Sequence, residues 1–136
     1  MNDLLFFSHN HKKITEINQI FHSSKFKIQN LNSFSKVKEP RETGNTFSEN
    51  AKIKSQFGYK MFNMPCFADD SGFCVEALNN QPGVKSRRFF NKFPSQKKAF
   101  QYIISNVIKK NNNNAFFVKA ISLTLKKNYH IIFLGR

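Results

Sequence analysis

The chain alternates short apolar runs with segments whose apolar residues recur at helical spacing, and this alternation restricts the folds open to it. Leu4 to Phe7 is a continuous apolar run of the kind that forms a strand buried on both faces. From Lys13 to about His22, the apolar residues instead recur on one face of a helix. A strand that leads into an amphipathic helix packs as one layer on another. The opening of the chain therefore predicts an α/β fold.

The rest of the chain continues the alternation and gives the predicted order βαβαββαββ. Thr46-Phe47-Ser48-Glu49 is a capping box and begins a helix that runs to about Phe62. Ser95 can cap a second long helix, which the four asparagines at 111–114 end. The remaining elements are predicted strands at 26–31, 66–68, 73–78, 115–125 and 129–134. Because the last two strands form a hairpin, we expect a mixed β-sheet with flanking helices.

The length of 136 residues is typical of one domain. Gly135 and Arg136 directly follow the apolar run of the last predicted strand. A final strand with no following element has one face uncovered. We therefore expect residues 1–136 to form a single but incomplete domain.

The chain carries a formal net charge of +14, from 22 basic and 8 acidic side chains. Such a field attracts nucleic acid, a membrane surface or a small polyanion such as a nucleotide. The lysines, however, come singly or in pairs along the whole chain, with no basic tail or long block. This scatter argues against a basic nucleic-acid-binding module, which we keep as the least favoured alternative.

Localisation and redox state follow from what the sequence lacks. No apolar stretch approaches the length of a membrane span, and the N-terminus has neither the basic front nor the length of a signal peptide. We therefore predict a cytoplasmic protein with no membrane partner. Cys66 and Cys74 are too few for a disulfide scaffold and have no zinc-ligand spacing, so we expect buried, reduced thiols.

Asp69-Asp70-Ser71-Gly72 is the densest acidic point in this basic chain, and the sequence places it in a tight turn between two predicted strands. These residue types favour turns, so a solvated turn is one interpretation. Adjacent carboxylates repel each other and resist burial, so a site that keeps both usually supplies a cation. Mg²⁺ suits such a site best, because it takes one or two carboxylates and completes its shell with water and phosphates. The tetrapeptide alone favours the solvated turn.

Three other features point towards phosphate binding. The segment from Ser8 to Lys13 lies where a strand meets a helix N-terminus, and backbone N–H groups favour phosphate there. Lys13 adds a mobile cation to this loop. Glu42 supplies another carboxylate beside a flexible glycine, and Lys54 lies at the edge of the capped helix, from which it could reach the same phosphates.

Four motifs occur in order along the chain. They read Ser8-x-Asn10-x-x-Lys13-x-x-Glu16, Glu42-Thr43-Gly44-x-Thr46-Phe47-x-Glu49-Asn50-Ala51-x-x-Lys54, Ala68-Asp69-Asp70-Ser71-Gly72-Phe73-x-Val75-x-Ala77-Leu78 and Pro82-Gly83-Val84-x-Ser86-x-Arg88. Together they resemble the inosine triphosphate pyrophosphatase family, the Ham1-like nucleotide hydrolases, over essentially the whole chain. The resemblance implies a Ham1-like fold and a Mg²⁺-dependent, homodimeric enzyme without a stable nucleic-acid partner. Such an enzyme hydrolyses dITP, ITP and XTP to the monophosphate and pyrophosphate.

The resemblance also implies roles for individual residues. Asp70 matches the catalytic carboxylate, which accepts a proton and binds the metal, and Glu42 matches a second metal ligand. Asp69 is a further candidate ligand. The substrate-binding residues that we expect from these motifs are Ser8, His9, Asn10, His11, Lys12, Lys13, Lys54, Ser71 and Arg88.

Two departures from the family pattern affect these expectations. The phosphate loop usually has glycines where this chain has His9 and Lys12, which makes its backbone less free to wrap phosphates. The family also has a C-terminal segment that recognises the purine base, and this sequence lacks that part of the C-terminal lobe. A chain without it is expected to keep the metal site and lose base selectivity. The alternative is a catalytically inactive remnant of the family.

Overall fold

The computed structural model describes residues 2–136, which form four α-helices and six β-strands joined by loops and short 3₁₀ turns. The strands are β1 (Asp3–Phe6), β2 (Lys27–Asn30), β3 (Cys66–Val75), β4 (Gln81–Pro82), β5 (Ala115–Lys126) and β6 (Tyr129–Gly135). The helices are α1 (His11–Phe21), α2 (Phe47–Phe62), α3 (Ser86–Asn91) and α4 (Gln96–Lys110). No helix among the described residues is long and apolar enough to cross a membrane.

The six strands form one mixed sheet in the order β2-β1-β3-β5-β6, with β4 paired to β3 outside that path. β1 runs parallel to both β2 and β3, whereas β5 runs antiparallel to β3 and β6. Strand β1 therefore lies at the centre of a small parallel part, and β5 and β6 form the predicted hairpin. The expectation of a mixed sheet with flanking helices is confirmed.

The helices α1 and α2 cover opposite faces of the parallel strands. Leu5 and Phe7 pack on the face that holds Phe57 of α2. Phe6 points the other way and packs against Ile14 of α1. Alternation along a strand, with a period of two residues, thus divides the core into two layers. The continuous apolar run of Leu4 to Phe7 is explained because both faces of β1 are covered.

Strand β3 corrects the prediction of a tight turn at Asp69-Asp70-Ser71-Gly72. These four residues lie within one continuous ten-residue strand, in which Asp69 pairs with Ile121 and Asp70 pairs with Ala120 of β5. Ten consecutive residues of β3 pair with β5, and this long ladder overrides the local preference of Asp and Gly for turns. The solvated-turn interpretation is therefore wrong: both carboxylates are buried.

Helix α2 also contacts the sheet through a buried cluster of hydroxyl groups. The Ser55 hydroxyl lies 2.8 Å from the Ser122 hydroxyl and 2.8 Å from the Thr124 hydroxyl, and all three side chains are fully buried. The predicted capping box at the start of α2 is present, with Thr46 accepting from the Glu49 N–H. The helix is thus fixed at its start by its cap and along its length by hydrogen bonds to β5.

The structure also differs from the predicted elements in two short segments, Glu76–Leu78 and residues 83–91. The segment after Pro82-Gly83 is a 3₁₀ turn followed by the short helix α3, and the sequence analysis predicted no helix or strand there. Glu76–Leu78 is a 3₁₀ turn rather than the end of a strand, because β3 stops pairing with β5 at Val75. Cys66 and Cys74 are free, buried thiols as predicted, and burial raises the pKa of each thiol above its ordinary value.

Candidate active site

The candidate site lies where β1 ends and β3 continues. β1 pairs with β3 only through Leu5 and Phe6, after which the chain leaves the sheet and enters α1. From β1 the chain passes to β2 on one side, and β2 connects back to β3 on the other side. Ligands of open α/β sheets bind at such switch points, at the carboxyl ends of the strands. A cleft of about 370 Å³ lies here.

Most of the predicted site residues meet in this cleft. Its lining includes Ser8, His9, Asn10, Lys13, Glu42, Lys54, Asp69, Asp70 and Ser71, together with Phe7, Glu39, Val84 and Arg87. The nine predicted residues come from four separate parts of the chain, and Val84 and Arg87 add a fifth. Their convergence agrees with the expectation that the motifs form one site.

Three predicted residues are not brought into the cleft. His11 and Lys12 are exposed and line a shallow surface depression on α1. The physical reason is that α1 begins at His11, so successive residues turn by about 100° and Lys13 faces inward while its two predecessors face solvent. Arg88 lines an adjoining groove rather than the cleft itself. These three residues thus lie outside the lining of the cleft that holds Asp70, and their predicted role in substrate binding stays a prediction.

The loop from Ser8 to Lys13 is held by hydrogen bonds between its own side chains and backbone. The Asn10 N–H donates to the Ser8 hydroxyl at 3.0 Å, and the Lys13 N–H donates to Asn10 Oδ1 at 3.1 Å. Asn10 is thus the N-cap of α1. These bonds fix the loop without the glycines that a phosphate loop usually has, and they place Lys13 in the first turn of the helix.

The Asp69 carboxylate is bound by ammonium groups. Its Oδ2 lies 2.9 Å from Lys13 Nζ and 3.9 Å from Lys119 Nζ, and the side chain is 7% exposed. Asp69 follows Phe67 on the face of the sheet that α1 covers, which explains why a lysine of α1 reaches it. Asp69 thus offsets the positive charge of the two lysines and holds the Lys13 ammonium group in place.

The Asp70 carboxylate is buried on the opposite face of the sheet, and its Oδ2 has no hydrogen-bond donor within the described residues. Burial raises the pKa of Asp70 to about 6. The nearby Glu42 carboxylate also raises this pKa. The positive charges of Lys54 and Lys13 lower it, and so does a hydrogen bond from the Asn50 side chain. A buried acceptor without a partner is costly, and a cation or a proton would relieve that cost.

Lys54 links the two carboxylate-bearing segments of the cleft. Its Nζ lies 3.1 Å from Glu42 Oε1 and donates to the Asp69 carbonyl oxygen at 2.5 Å. Lys54 is buried, although the sequence placed it at the edge of the apolar stripe of α2. Its ammonium group is therefore at a fixed position beside the cleft, between β3 and the segment that carries Glu42.

The segment that carries Glu42 is held by the N-terminus of α2. The Gly44 N–H donates to Asn50 Oδ1 at 2.7 Å, and the Asn45 N–H donates to Glu49 Oε2 at 2.7 Å. Asn50 is buried and is also a hydrogen-bond donor to Asp70. One side chain thus connects the Glu42 segment with the β3 carboxylate.

The donor set in the cleft consists of hard oxygen atoms from two carboxylates. Glu42 is about one-third exposed and faces the same cleft as the unpaired Oδ2 of Asp70. Across residues 2–136, no group of three or more His, Cys, Asp or Glu side chains is placed to hold a metal ion by itself. Two carboxylates suit a hard cation such as Mg²⁺, which takes one or two protein carboxylates and completes its shell with water or substrate oxygens.

The sequence analysis did not identify three residues of the site. Arg87 and Glu39 line the cleft, and Asn50 bridges the Glu42 segment and Asp70. Arg87 was missed because α3 was not predicted, and Glu39 because it lies in a loop without a motif. Asn50 stands inside the second motif, at the fourth residue of α2, so its position there was the available signal.

Known proteins resemble this chain in both sequence and fold. The sequence model of the Ham1 family matches residues 4–136. A protein named dITP/XTP pyrophosphatase from Borrelia duttonii is 37% identical over 128 residues, which are 90% of this chain and 62% of that relative. A second protein of that name, from Flavobacterium psychrophilum, is 34% identical over 94% of this chain and 67% of its own length. The chain thus spans about two thirds of the length of these relatives.

Two solved structures resemble the whole of this fold. A HAM1 protein from Coxiella burnetii superposes with a TM-score of 0.87 at 31% identity, over 99% of this chain and 70% of that one. The Ham1 protein of Staphylococcus aureus superposes with a TM-score of 0.84 at 30% identity, over 98% and 68% of the two chains. Because the family sequence model covers nearly every residue and the structures agree in fold, the chain belongs to the Ham1 family.

Proposed function

We propose that this chain hydrolyses non-canonical purine nucleoside triphosphates, dITP, ITP and XTP, to the monophosphate and pyrophosphate in a Mg²⁺-dependent reaction. The observation that carries the proposal is the buried, unpaired Oδ2 of Asp70 in a cleft that also holds Glu42, Lys13 and Lys54. The names of the family relatives support the substrate class. The two-carboxylate donor set supports the choice of metal.

Asp70 and Glu42 are the residues that would hold the magnesium ion. When bound, the ion would supply positive charge that neutralises and orients phosphate oxygens. Asp69 is a poorer candidate ligand, because its carboxylate lies on the opposite face of β3 from that of Asp70 and has two lysines, Lys13 and Lys119, at 2.9 and 3.9 Å, whereas Glu42 has one. We therefore assign Asp69 a positioning role and retain the other two carboxylates as the ligands.

Hydrolysis requires that a water molecule lose a proton as its oxygen bonds to phosphorus. Asp70 can accept that proton through its Oδ2, which has no hydrogen-bond donor within the described residues, and without a metal ion burial raises the pKa of this carboxyl to about 6. The bond between the α- and β-phosphates then breaks, and pyrophosphate leaves with the electron pair. Lys13 and Lys54 would stabilise the charge that develops on the leaving group.

Ser8, Asn10 and Ser71 would contact substrate from the walls of the cleft. Ser71 lies beside Asp70 in β3 and is a ligand contact rather than a nucleophile, because this mechanism needs no covalent intermediate. His9 also lines the cleft, with its Nδ1 3.6 Å from Glu39. Consistent with the family resemblance, we propose that the protein acts in the cytoplasm as a homodimer and binds nucleotides rather than nucleic acid.

The test is pyrophosphate release from dITP, ITP, XTP, ATP and GTP with Mg²⁺, for the wild-type chain and the Asp70→Asn variant. We expect release that disappears in the variant and on addition of EDTA. Release from all five nucleotides would support the cleft chemistry and show that base selection is absent. No release from a folded sample would overturn the proposal and favour the inactive remnant.

A further inference from the structure

Three basic side chains line the cleft, and two of them are already engaged. Lys13 is 2.9 Å from Asp69 Oδ2, and Lys54 is 3.1 Å from Glu42 Oε1. The third, Arg87, makes no ion pair with any acidic side chain in the part of the chain that the structure describes, residues 2–136. Its guanidinium is therefore the cleft cation that can bind an anion without first breaking an internal ion pair.

The backbone at Arg87 is anchored to the strand that carries the catalytic carboxylate. The preceding residue, Ser86, accepts a hydrogen bond from the Phe73 N–H at 2.9 Å and donates to the Gly83 carbonyl oxygen at 2.6 Å. Phe73 lies three residues after Asp70 in β3. The first turn of α3 is thus fixed relative to the site, although the Arg87 side chain itself is exposed.

Arg87 also stands where the cleft opens into a larger groove of about 1,100 Å³. Four residues line both cavities: Glu39, Glu42, Val84 and Arg87. Arg87 is the basic one among them. A nucleotide whose phosphates occupy the cleft can extend its nucleoside into the larger groove, and its phosphate chain would then pass Arg87.

The charge balance of the cleft makes an unengaged cation important. Four carboxylates line the cleft, from Glu39, Glu42, Asp69 and Asp70, against the three basic side chains. A triphosphate brings several more negative charges. Arginine suits this position, because its planar fork donates two parallel hydrogen bonds to phosphate oxygens.

We propose that Arg87 is a further substrate-binding residue, whose guanidinium binds phosphate oxygens of the nucleotide at the opening between the cleft and the groove. This inference rests on the function proposed above. In this proposal Arg87 binds the nucleotide and takes no part in the chemical step.

The experiment compares Arg87→Ala and Arg87→Lys with the wild-type chain, and Lys92→Ala serves as the matched control. Lys92 follows the same helix, is exposed and lines none of the cavities described above, so its removal deletes one positive charge without touching the opening. With dITP and Mg²⁺, Arg87→Ala should raise KM by about 10- to 100-fold and leave kcat within about threefold. Arg87→Lys should recover part of this loss, and Lys92→Ala should change KM by less than about twofold.

A second measurement does not depend on turnover. Isothermal titration with inorganic tripolyphosphate should show the same loss of affinity in Arg87→Ala and not in Lys92→Ala, and circular dichroism should show that all variants are folded. If the wild type hydrolyses dITP but Arg87→Ala keeps its KM and tripolyphosphate affinity, the role of Arg87 is overturned and the proposed function stands. If the wild type hydrolyses nothing, the proposed function falls, and the titration still decides whether Arg87 binds a phosphate chain.

Discussion

Asp69 and Asp70 are neighbours in β3, yet their carboxylates lie on opposite faces of the sheet. Asp69 meets Lys13 of α1 at 2.9 Å, whereas Asp70 faces α2, where Asn50 and Lys54 perturb its pKa. The alternation of side chains along a strand thus separates two like charges that the sequence places together. Neither Oδ2 accepts a hydrogen bond of good geometry within the described residues, but Asp69 Oδ2 is ion-paired with lysine, whereas Asp70 has no ion pair there. The two residues should therefore respond differently to the same substitution.

Asp70→Asn should abolish hydrolysis and yet stabilise the metal-free fold. The Asp70 carboxylate is buried and largely ionised at pH 7, so replacing it with a neutral side chain of similar shape removes a desolvated charge. We expect the free energy of unfolding to rise by about 1–3 kcal/mol at pH 7 in EDTA, and pyrophosphate release to fall by at least about 100-fold. Urea denaturation and a pyrophosphate assay measure the two effects. A variant that is both inactive and less stable would contradict the prediction.

The stability of the metal-free protein should depend on the ionisation of Asp70. Its pKa is raised in the folded state to about 6 from 3.8, so its favourable contribution is complete below about pH 4 and is lost as the pH rises through 6. The loss amounts to about 3 kcal/mol for a shift of this size. The free energy of unfolding of the wild type minus that of Asp70→Asn, measured in EDTA from pH 4 to 7.5, should fall accordingly. A difference that does not change with pH would show that the Asp70 pKa is not raised.

Asp69→Asn should have the opposite effect on stability. Removing the carboxylate leaves Lys13 and Lys119 close to one oxygen without a counter-charge, and we expect a loss of about 1 kcal/mol in the free energy of unfolding. The variant should raise KM more than it lowers kcat, because Lys13 is no longer held at the cleft. Lys12→Gln is the matched control, since Lys12 is exposed and lies outside the cleft. If Asp69→Asn instead stabilises the protein, Asp69 is not the counter-ion of Lys13.

Gly72→Ala should disturb the site through packing. A Cβ at Gly72 would overlap the Gly83 carbonyl oxygen and lie 2.7 Å from Phe47 Cε1 and 2.8 Å from Ser86 Oγ. Relieving these contacts would displace the start of α3, so we expect a loss of about 1–3 kcal/mol in unfolding free energy together with weaker substrate binding. Gly135→Ala is the control, because its nearest neighbour is 3.8 Å away. Equal thermal midpoints for the two variants would contradict this prediction.

Much of the fold and most of the site could be predicted because their signals are local. The apolar run of β1, the capping box of α2 and the Ser95 cap of α4 each depend on a few adjacent residues, and all three are found in the structure. The site residues Asp70, Glu42 and Lys54 were identified from their motifs. Asp70 and Lys54 stay together because β3 and α2 pack against each other, and the Glu42 segment is held to α2 by the hydrogen bond from the Gly44 N–H to Asn50.

The errors arise where distant partners decide the outcome. The Asp69-Asp70-Ser71-Gly72 segment has the composition of a turn, and only its pairing with the whole of β5 makes it a strand. His11 and Lys12 lie outside the cleft that Lys13 lines, a difference in side-chain direction that adjacent sequence positions do not show. Arg87 reaches the cleft through the anchoring of Ser86 to β3, which no local pattern reports.

The hydroxyl cluster of Ser55, Ser122 and Thr124 restricts the position of α2 relative to β5. Apolar contacts between a helix and a sheet are non-directional and tolerate small sliding movements. Hydrogen bonds weaken steeply over a few tenths of an ångström, so two contacts of 2.8 Å from one hydroxyl fix both the rotation and the axial position of α2. Lys54 is the residue next to Ser55, so these bonds help to fix the backbone from which its ammonium group reaches Glu42 and the Asp69 carbonyl oxygen. The geometry of the cleft thus depends in part on buried side chains that do not line it.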